Sequence, residues 1–328
     1  MSRDLLSPGS GRCHRRTFIQ GTLSALALLA LPAPARSFVR PEVRKGFLSP
    51  RPALYARSLP DGMVKCLLCP RGCEVGDGDR GDCGVRENRG GTYYTLAYAN
   101  PCAVHVDPVE KKPFFHVLPG SASFSIATAG CNLHCRFCQN WEISQARPDE
   151  TFNYHLPPEQ VVAGARDTGC ASIAHTYVEP VIFFEYMLAV GQLAKAAGIL
   201  NVMHSNGYIN PEPLERLTEV LDAACIDLKS FDNRFYQEMT DGELEPVLNT
   251  LKTLRRRGVY VEIVTLLIPE KNDHPDGLRA LCSFIRDELG PLTPLHFSRF
   301  YPLHKMMNHY PTPVSTLERA RDLAREVG

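Results

Sequence analysis

The sequence predicts an α/β fold built on a parallel sheet, and three observations carry that expectation. From Phe124 onward short apolar runs alternate with longer stretches of helical period, the pattern of repeated βα units. Gly198, Gly258 and Gly290 each follow a helical stretch, where a helix C-cap is expected. The chain has 328 residues, 44% of them hydrophobic and 22% charged, which suits a globular protein with a sizeable core. Six such units with right-handed crossovers give either a doubly wound sheet or a partial barrel. In both, ligands bind at the C-terminal ends of the strands.

Residues 1–36 read as a targeting segment. Arg12, Arg15 and Arg16 precede an apolar run from Phe18 to Leu31, and Ala33-Pro34-Ala35 supplies a small-x-small cleavage site. Arg15-Arg16-Thr17-Phe18-Ile19 resembles a twin-arginine export signal. The apolar run falls short of the roughly 20 residues a membrane span needs, so no stable span is expected. Residues 37–60 are rich in Pro and Arg without a clear period and read as a linker.

Residues 61–115 form a cysteine-rich module. Cys66, Cys69, Cys73 and Cys83 offer four thiolates within 18 residues, interleaved with glycines that permit tight turns. Four ligands close a site, so a metal held there is structural or electron-carrying. Zinc and an iron–sulfur cluster both fit, and two disulfides are an alternative for an exported protein.

Residues 116–328 carry the βα units. The strand runs are Ser123–Thr128, Ala171–Tyr177, Leu200–His204, Ala224–Leu228, Tyr260–Leu267 and Leu295–Arg299. Helical stretches Val181–Ala197, Pro213–Leu221, Leu244–Arg257 and Leu278–Leu289 lie between them. Directly after the first run come Cys131, Cys135 and Cys138, on a loop at a strand's C-terminal end. A [4Fe–4S] cube takes four ligands, usually cysteines. Three thiolates leave one iron open to an outside molecule. Structural zinc wants a closed tetrahedral set, and no fourth ligand lies at the usual spacing. His134, between two cysteines, is expected to point away from the centre.

The spacing Cys-x3-Cys-x2-Cys after the first strand of a βα array resembles the radical S-adenosylmethionine (radical SAM) superfamily. That resemblance implies a partial (β/α)6 TIM-like barrel. It implies that SAM's methionine binds the open iron, and that reductive cleavage yields a 5′-deoxyadenosyl radical. Phe137 matches the aromatic position that packs near the SAM adenine. Glu179 stands where the superfamily contacts SAM's ammonium, and Ser205, Asn206 and Asp227 stand where relatives place polar groups near its methionine or ribose. Further stretches are similar to the radical SAM member of the AmmeMemoRadiSam system, which is related to glycyl radical enzyme activases. They are Asp107-Pro108-Val109-Glu110-Lys111-Lys112-Pro113, Cys138-Gln139-Asn140-Trp141-Glu142-Ile143, Thr176-Tyr177-Val178-Glu179-Pro180 and Asp227-Leu228-Lys229. The resemblance also implies another strand and a cysteine-bearing segment beyond Gly328, which would make this a shortened sequence.

Thirty-six basic residues balance thirty-six acidic ones, so no net field draws in nucleic acid or an acidic membrane. The expected activity is cleavage of SAM to act on an unidentified substrate, with a protein substrate, a Memo-like partner and an electron donor as expected partners. The competing readings are a glycyl radical enzyme activase and a non-enzymatic iron–sulfur electron carrier. Localisation is divided: the arginine pair points to export, SAM dependence to the cytoplasm. Cys13, Cys102, Cys170, Cys225 and Cys282 read as small buried hydrophobes, and Trp141 as core packing.

Overall fold

The computed structural model describes residues 42–328, so the targeting segment lies outside the described residues. Residues 42–60, expected as linker, instead carry three short strands, β1 (Val43–Lys45), β2 (Arg51–Pro52) and β3 (Ala56–Ser58). Each finds its partner elsewhere. β3 pairs with β4 (Val64–Cys66), which pairs with β5 (Glu74–Val75). β2 pairs with β7 (Thr92–Thr95), itself paired with β6 (Arg86–Arg89). Strands of two or three residues are too short to show a period, which is why composition alone suggested a linker.

The chain enters the main sheet at β8 (Ala103–Pro108), ahead of the expected boundary at residues 115 and 116. β8 runs antiparallel to β9 (Ala122–Ala127). After β10 (Phe152–Tyr154), which pairs with β1, come β11 (Ser172–His175), β12 (Leu200–Ser205), β13 (Ala223–Asp227), β14 (Tyr260–Leu267) and β15 (Leu295–Arg299). The sheet order is β15-β14-β13-β12-β11-β9-β8. Its six parallel strands are the six runs expected, and β8 with β15 leaves two open edges. This is the partial barrel.

Eight helices are described: α1 (Trp141–Ser144), α2 (Pro158–Asp167), α3 (Phe184–Ala196), α4 (Pro211–Leu217), α5 (Asn233–Thr240), α6 (Leu244–Arg256), α7 (Pro275–Phe284) and α8 (Val314–Val327). α2, α4 and α7 begin on a proline, whose fixed φ and missing N–H suit the first turn. Asp232 caps α5 by accepting from Arg234 N at 2.8 Å.

Two apolar bodies fill the structure. The larger packs the helices and the module against the outer sheet. The smaller lies where residues 109–118 insert Val109, Phe114 and Val117 against Ala174, Val202, Ala223, Cys225 and Val264. That segment plugs the barrel. Cys170, Cys225 and Cys282 are buried as expected, while Cys102 is only half-buried. Cys13 lies outside the described residues.

Candidate cofactor site

The loop after β9 carries the three cysteines, all half-buried. Burial, then the Glu179 carboxylate and the neighbouring cysteines, push the Cys131 thiol well above its ordinary value. Burial also raises Cys135, to about 11, although the Lys229 ammonium works in the other direction. Cys135 and Cys138 line one cavity, and Cys131 borders the opening between this loop and the cysteine-rich module.

Polar groups fix the loop from several sides. Asn132 donates to the Tyr208 carbonyl at 2.8 Å and accepts from Asn206 Nδ2 at 2.9 Å. Asn206 N in turn donates to Glu179 Oε2 at 2.7 Å, while Ser205 Oγ and Val181 N donate to Oε1. Burial raises the Glu179 carboxyl to about 7 in spite of these donors. Thus Glu179, Ser205 and Asn206 form one buried cluster joining the ends of β11 and β12 to the cysteine loop. None of the three lines the adjoining cavity.

That cavity, about 660 Å³, lies at the C-terminal ends of the strands. Cys135, Phe137, Cys138, His204, Asp227 and Lys229 are among its walls. Its size is ordinary for a small-molecule or cofactor site. Asp227 bonds His204 Nε2 at 3.0 Å and Lys229 Nζ at 2.8 Å. Burial opposes ionisation of Asp227, yet Lys229 and His204 hold its carboxyl far below the usual range. The same pairing, with Cys135 nearby, raises Lys229 against the effect of burial. Phe137 packs against Phe235 with ring centroids 6.0 Å apart.

Tyr177 forms part of the wall with a left-handed backbone, φ 66°. Its hydroxyl bonds Asp107, and Lys112 Nζ reaches Asp107 at 2.6 Å and the same hydroxyl at 2.9 Å. Asn140 donates to the Tyr177 carbonyl at 2.7 Å. A non-glycine residue in this region stores conformational cost unless its surroundings hold it, and here two motifs from distant parts of the chain do so.

The module packs directly on the cysteine loop. Arg71, between Cys69 and Cys73, donates to the Asn132 carbonyl at 2.9 Å. His134 turns outward as expected, bonding Asp82 at 2.9 Å and Gln145 at 3.0 Å. Gly130, φ 97°, approaches so closely that a Cβ there would lie 2.6 Å from the Cys83 carbonyl. No two cysteines of the module are joined by a disulfide. Burial, then neighbouring cysteines, push Cys69 and Cys83 to about 12.

The donor chemistry suits iron–sulfur clusters. Among the described residues, the one trio of His, Cys, Asp or Glu ligand atoms within 4.8 Å of one another is elsewhere, so neither cysteine group converges that tightly. Thiolates about 2.3 Å from one zinc ion must crowd closer than this. Sulfurs spread around a multi-iron cube need not.

Sequence reasoning missed Arg71, Asn132 and Asn140 as loop supports. Their signal was present: polar residues lodged inside or beside tight cysteine spacings. Trp141 was misread. It is 41% exposed and stacks on His304, ring centroids 5.4 Å apart, because α1 is a single surface turn.

A radical SAM superfamily model matches residues 125–281. An uncharacterized protein of Methanocaldococcus jannaschii is 44% identical over 278 residues, spanning 85% of this chain and 83% of its own. A pyruvate formate-lyase-activating enzyme of Listeria monocytogenes is 25% identical over 204 residues, 57% of this chain and 81% of its own. Among solved structures, a radical SAM methyltransferase from Sphaerobacter thermophilus shares the fold. Its TM-score is 0.50 at 14% identity, covering 94% of this chain and 79% of its own. The chain belongs to the radical SAM superfamily. It is therefore an enzyme that uses a [4Fe–4S] cluster and SAM, which it cleaves reductively to a radical.

Proposed function

We propose that Cys131, Cys135 and Cys138 ligate the [4Fe–4S] cluster and that SAM occupies the adjoining cavity. The observation that carries this reading is that Cys135, Cys138 and Phe137 share a cavity with Asp227, Lys229 and His204. When bound, the cluster supplies the electron that cleaves SAM to methionine and the 5′-deoxyadenosyl radical. Phe137 offers an apolar face for the adenine, and Asp227 a carboxylate for the ribose or methionine. Lys229 places positive charge beside Cys135, favouring an anionic centre. Glu179, with its carboxylate committed to Ser205, Asn206 and Val181, positions the loop through Asn132. Replacing all three cysteines with Ala should abolish SAM cleavage and remove about four irons per chain. Cleavage retained in that variant would overturn the assignment.

Cys66, Cys69, Cys73 and Cys83 hold a second iron–sulfur cluster in this reading; their spread supports it over zinc. Iron remaining in the triple variant, without matching zinc, is the expected result.

The substrate is proposed to be a protein. The activating-enzyme relatives act by name on another enzyme, and the cavity's neighbourhood carries exposed aromatic side chains. Trp141 follows the wall residue Asn140, and Tyr301, 49% exposed, lies under the wall residue Arg299. The motif set in Asp107–Pro113 and Thr176–Pro180 favours an AmmeMemoRadiSam-type enzyme with a Memo-like partner over a glycyl radical enzyme activase. Formation of 5′-deoxyadenosine that rises only when such a partner is added would separate the two.

Export is supported by the arginine pair and opposed by dependence on SAM. Among the described residues no helix is long and apolar enough to cross a membrane. A reporter active only after export, fused to residues 1–40, with Arg15 and Arg16 changed to Lys as control, tests the signal.

A further inference from the structure

Toward the N-terminal ends of the last two strands, three ligating side chains meet. Glu262 lies near the start of β14 and His296 near the start of β15, while His116 belongs to the plug. Their ligand atoms all lie within 4.8 Å of one another. Glu262 is fully buried, His296 is 20% exposed and His116 is 54% exposed, so the trio is reachable from solvent on one side.

The hydrogen bonding around Glu262 is unbalanced. Oε1 accepts from His116 N at 2.9 Å. Oε2 faces Phe115 N at 3.1 Å, His116 Nδ1 at 3.2 Å and His296 Nε2 at 2.6 Å. A carboxylate oxygen offers two lone pairs. Phe115 N and His116 N are fixed donors, and two ring nitrogens, each donor or acceptor by tautomer, crowd Oε2 beside them. A single cation shared by Oε2 and the two ring nitrogens accounts for this crowding. Both imidazoles then act as lone-pair donors, and Phe115 N keeps the remaining site on Oε2.

We propose that His116, Glu262 and His296 form a binding site for one divalent cation of the zinc class, which fastens the plug to the last two strands. Two imidazoles and a carboxylate are a recurring zinc donor set. The spacing contrasts with that of the two cysteine groups, which spread beyond what a single ion spans. The ion ties residue 116 to residues 262 and 296, next to Phe114 and Val117, which pack against Ala174, Val202, Cys225 and Val264. The backbone N–H groups of Phe115 and His116 hold the Glu262 carboxylate from behind, as supporting donors do at metal sites. The fourth position faces solvent beside His116 and takes water.

The test uses the full chain with its cysteine sites filled by anaerobic iron–sulfur reconstitution, stripped of adventitious ions by a chelator and titrated with Co²⁺ and then Zn²⁺. One Co²⁺ per chain is expected, with visible d–d bands and no near-ultraviolet thiolate charge-transfer band. Zn²⁺ should displace it and raise the melting temperature. His116→Ala should weaken binding at least about ten-fold and abolish the thermal shift, with cluster content unchanged. His116 is half-exposed, so this variant should fold, and Glu262→Gln provides the second. Equal binding by wild type and His116→Ala, cobalt spectra showing thiolate ligation, or no binding at micromolar cation would each overturn the proposal.

Discussion

The Lys229 ammonium lies 2.8 Å from the Asp227 carboxylate and influences the Cys135 thiol as well. One lysine therefore neutralises a half-buried acid in the cavity wall and lends positive charge to the cysteine loop. Lys229→Met should lower the cluster's midpoint potential, because the reduced centre gains negative charge with no cation beside it. At an effective dielectric near 20 the loss is on the order of 1 kcal/mol or more, roughly 50 mV for one electron. A potentiometric titration followed by electron paramagnetic resonance measures it. An unchanged potential would show that Lys229 serves only Asp227.

Gly130→Ala should strike both cysteine groups together. The added methyl would sit 2.6 Å from the Cys83 carbonyl and 2.6 Å from Val85 Cγ1, at a φ of 97°. Backbone cannot yield as a flexible side chain does, so a loss of about 2–4 kcal/mol is expected. Denaturant unfolding and metal analysis check it; the variant should lose metal from both cysteine groups. Normal loading with unaltered stability would contradict the close approach.

Arg86 is the module's anchor to the barrel. Its Nη2 reaches both oxygens of Glu185 on α3, at 2.6 and 2.7 Å, and Nη1 donates to the Leu54 carbonyl at 2.9 Å. Both side chains are buried. Arg86→Ala strands a buried carboxylate and should cost about 3–5 kcal/mol. The double variant Arg86→Met with Glu185→Leu should be milder, since no uncompensated charge remains. Urea unfolding of the three proteins provides the comparison; a double variant worse than the single would refute the account.

His175 gives a pH dependence. Burial holds its imidazole down to about 4, only partly offset by the bond between Nε2 and Asn201 Oδ1 at 2.8 Å. An unfolded histidine titrates near 6.5. Between these values the unfolded chain takes a proton that the folded one refuses. The contribution is fully present above pH 6.5 and is lost as pH falls through about 4, amounting to about 3 kcal/mol. His175→Gln should flatten the acid side of a stability-against-pH curve by that amount. Parallel wild-type and variant curves would exclude His175 as the source.

The parallel strands were legible because each is a run of apolar, often β-branched residues long enough to show against its flanks. Tyr260–Leu267 and Leu295–Arg299 fall where expected. Helix limits shifted by a turn where proline starts the helix early, as at Pro275. β8 was hidden because its half-buried and exposed residues follow no period of two, and its antiparallel partner is fixed by contact across the sheet.

The sequence by itself determined the family and the chemistry: three cysteines at fixed spacing after a strand, on a chain with the period of a βα barrel. Such signals are local, and local spacing is what a sequence displays. Only the tertiary structure decided which polar groups act together. Glu179, Asn206 and Asn132 are separated along the chain yet hydrogen-bonded in series, and His116 meets Glu262 across 146 positions. No periodicity encodes such meetings, because they arise from strands laid side by side and a plug folded back into the barrel.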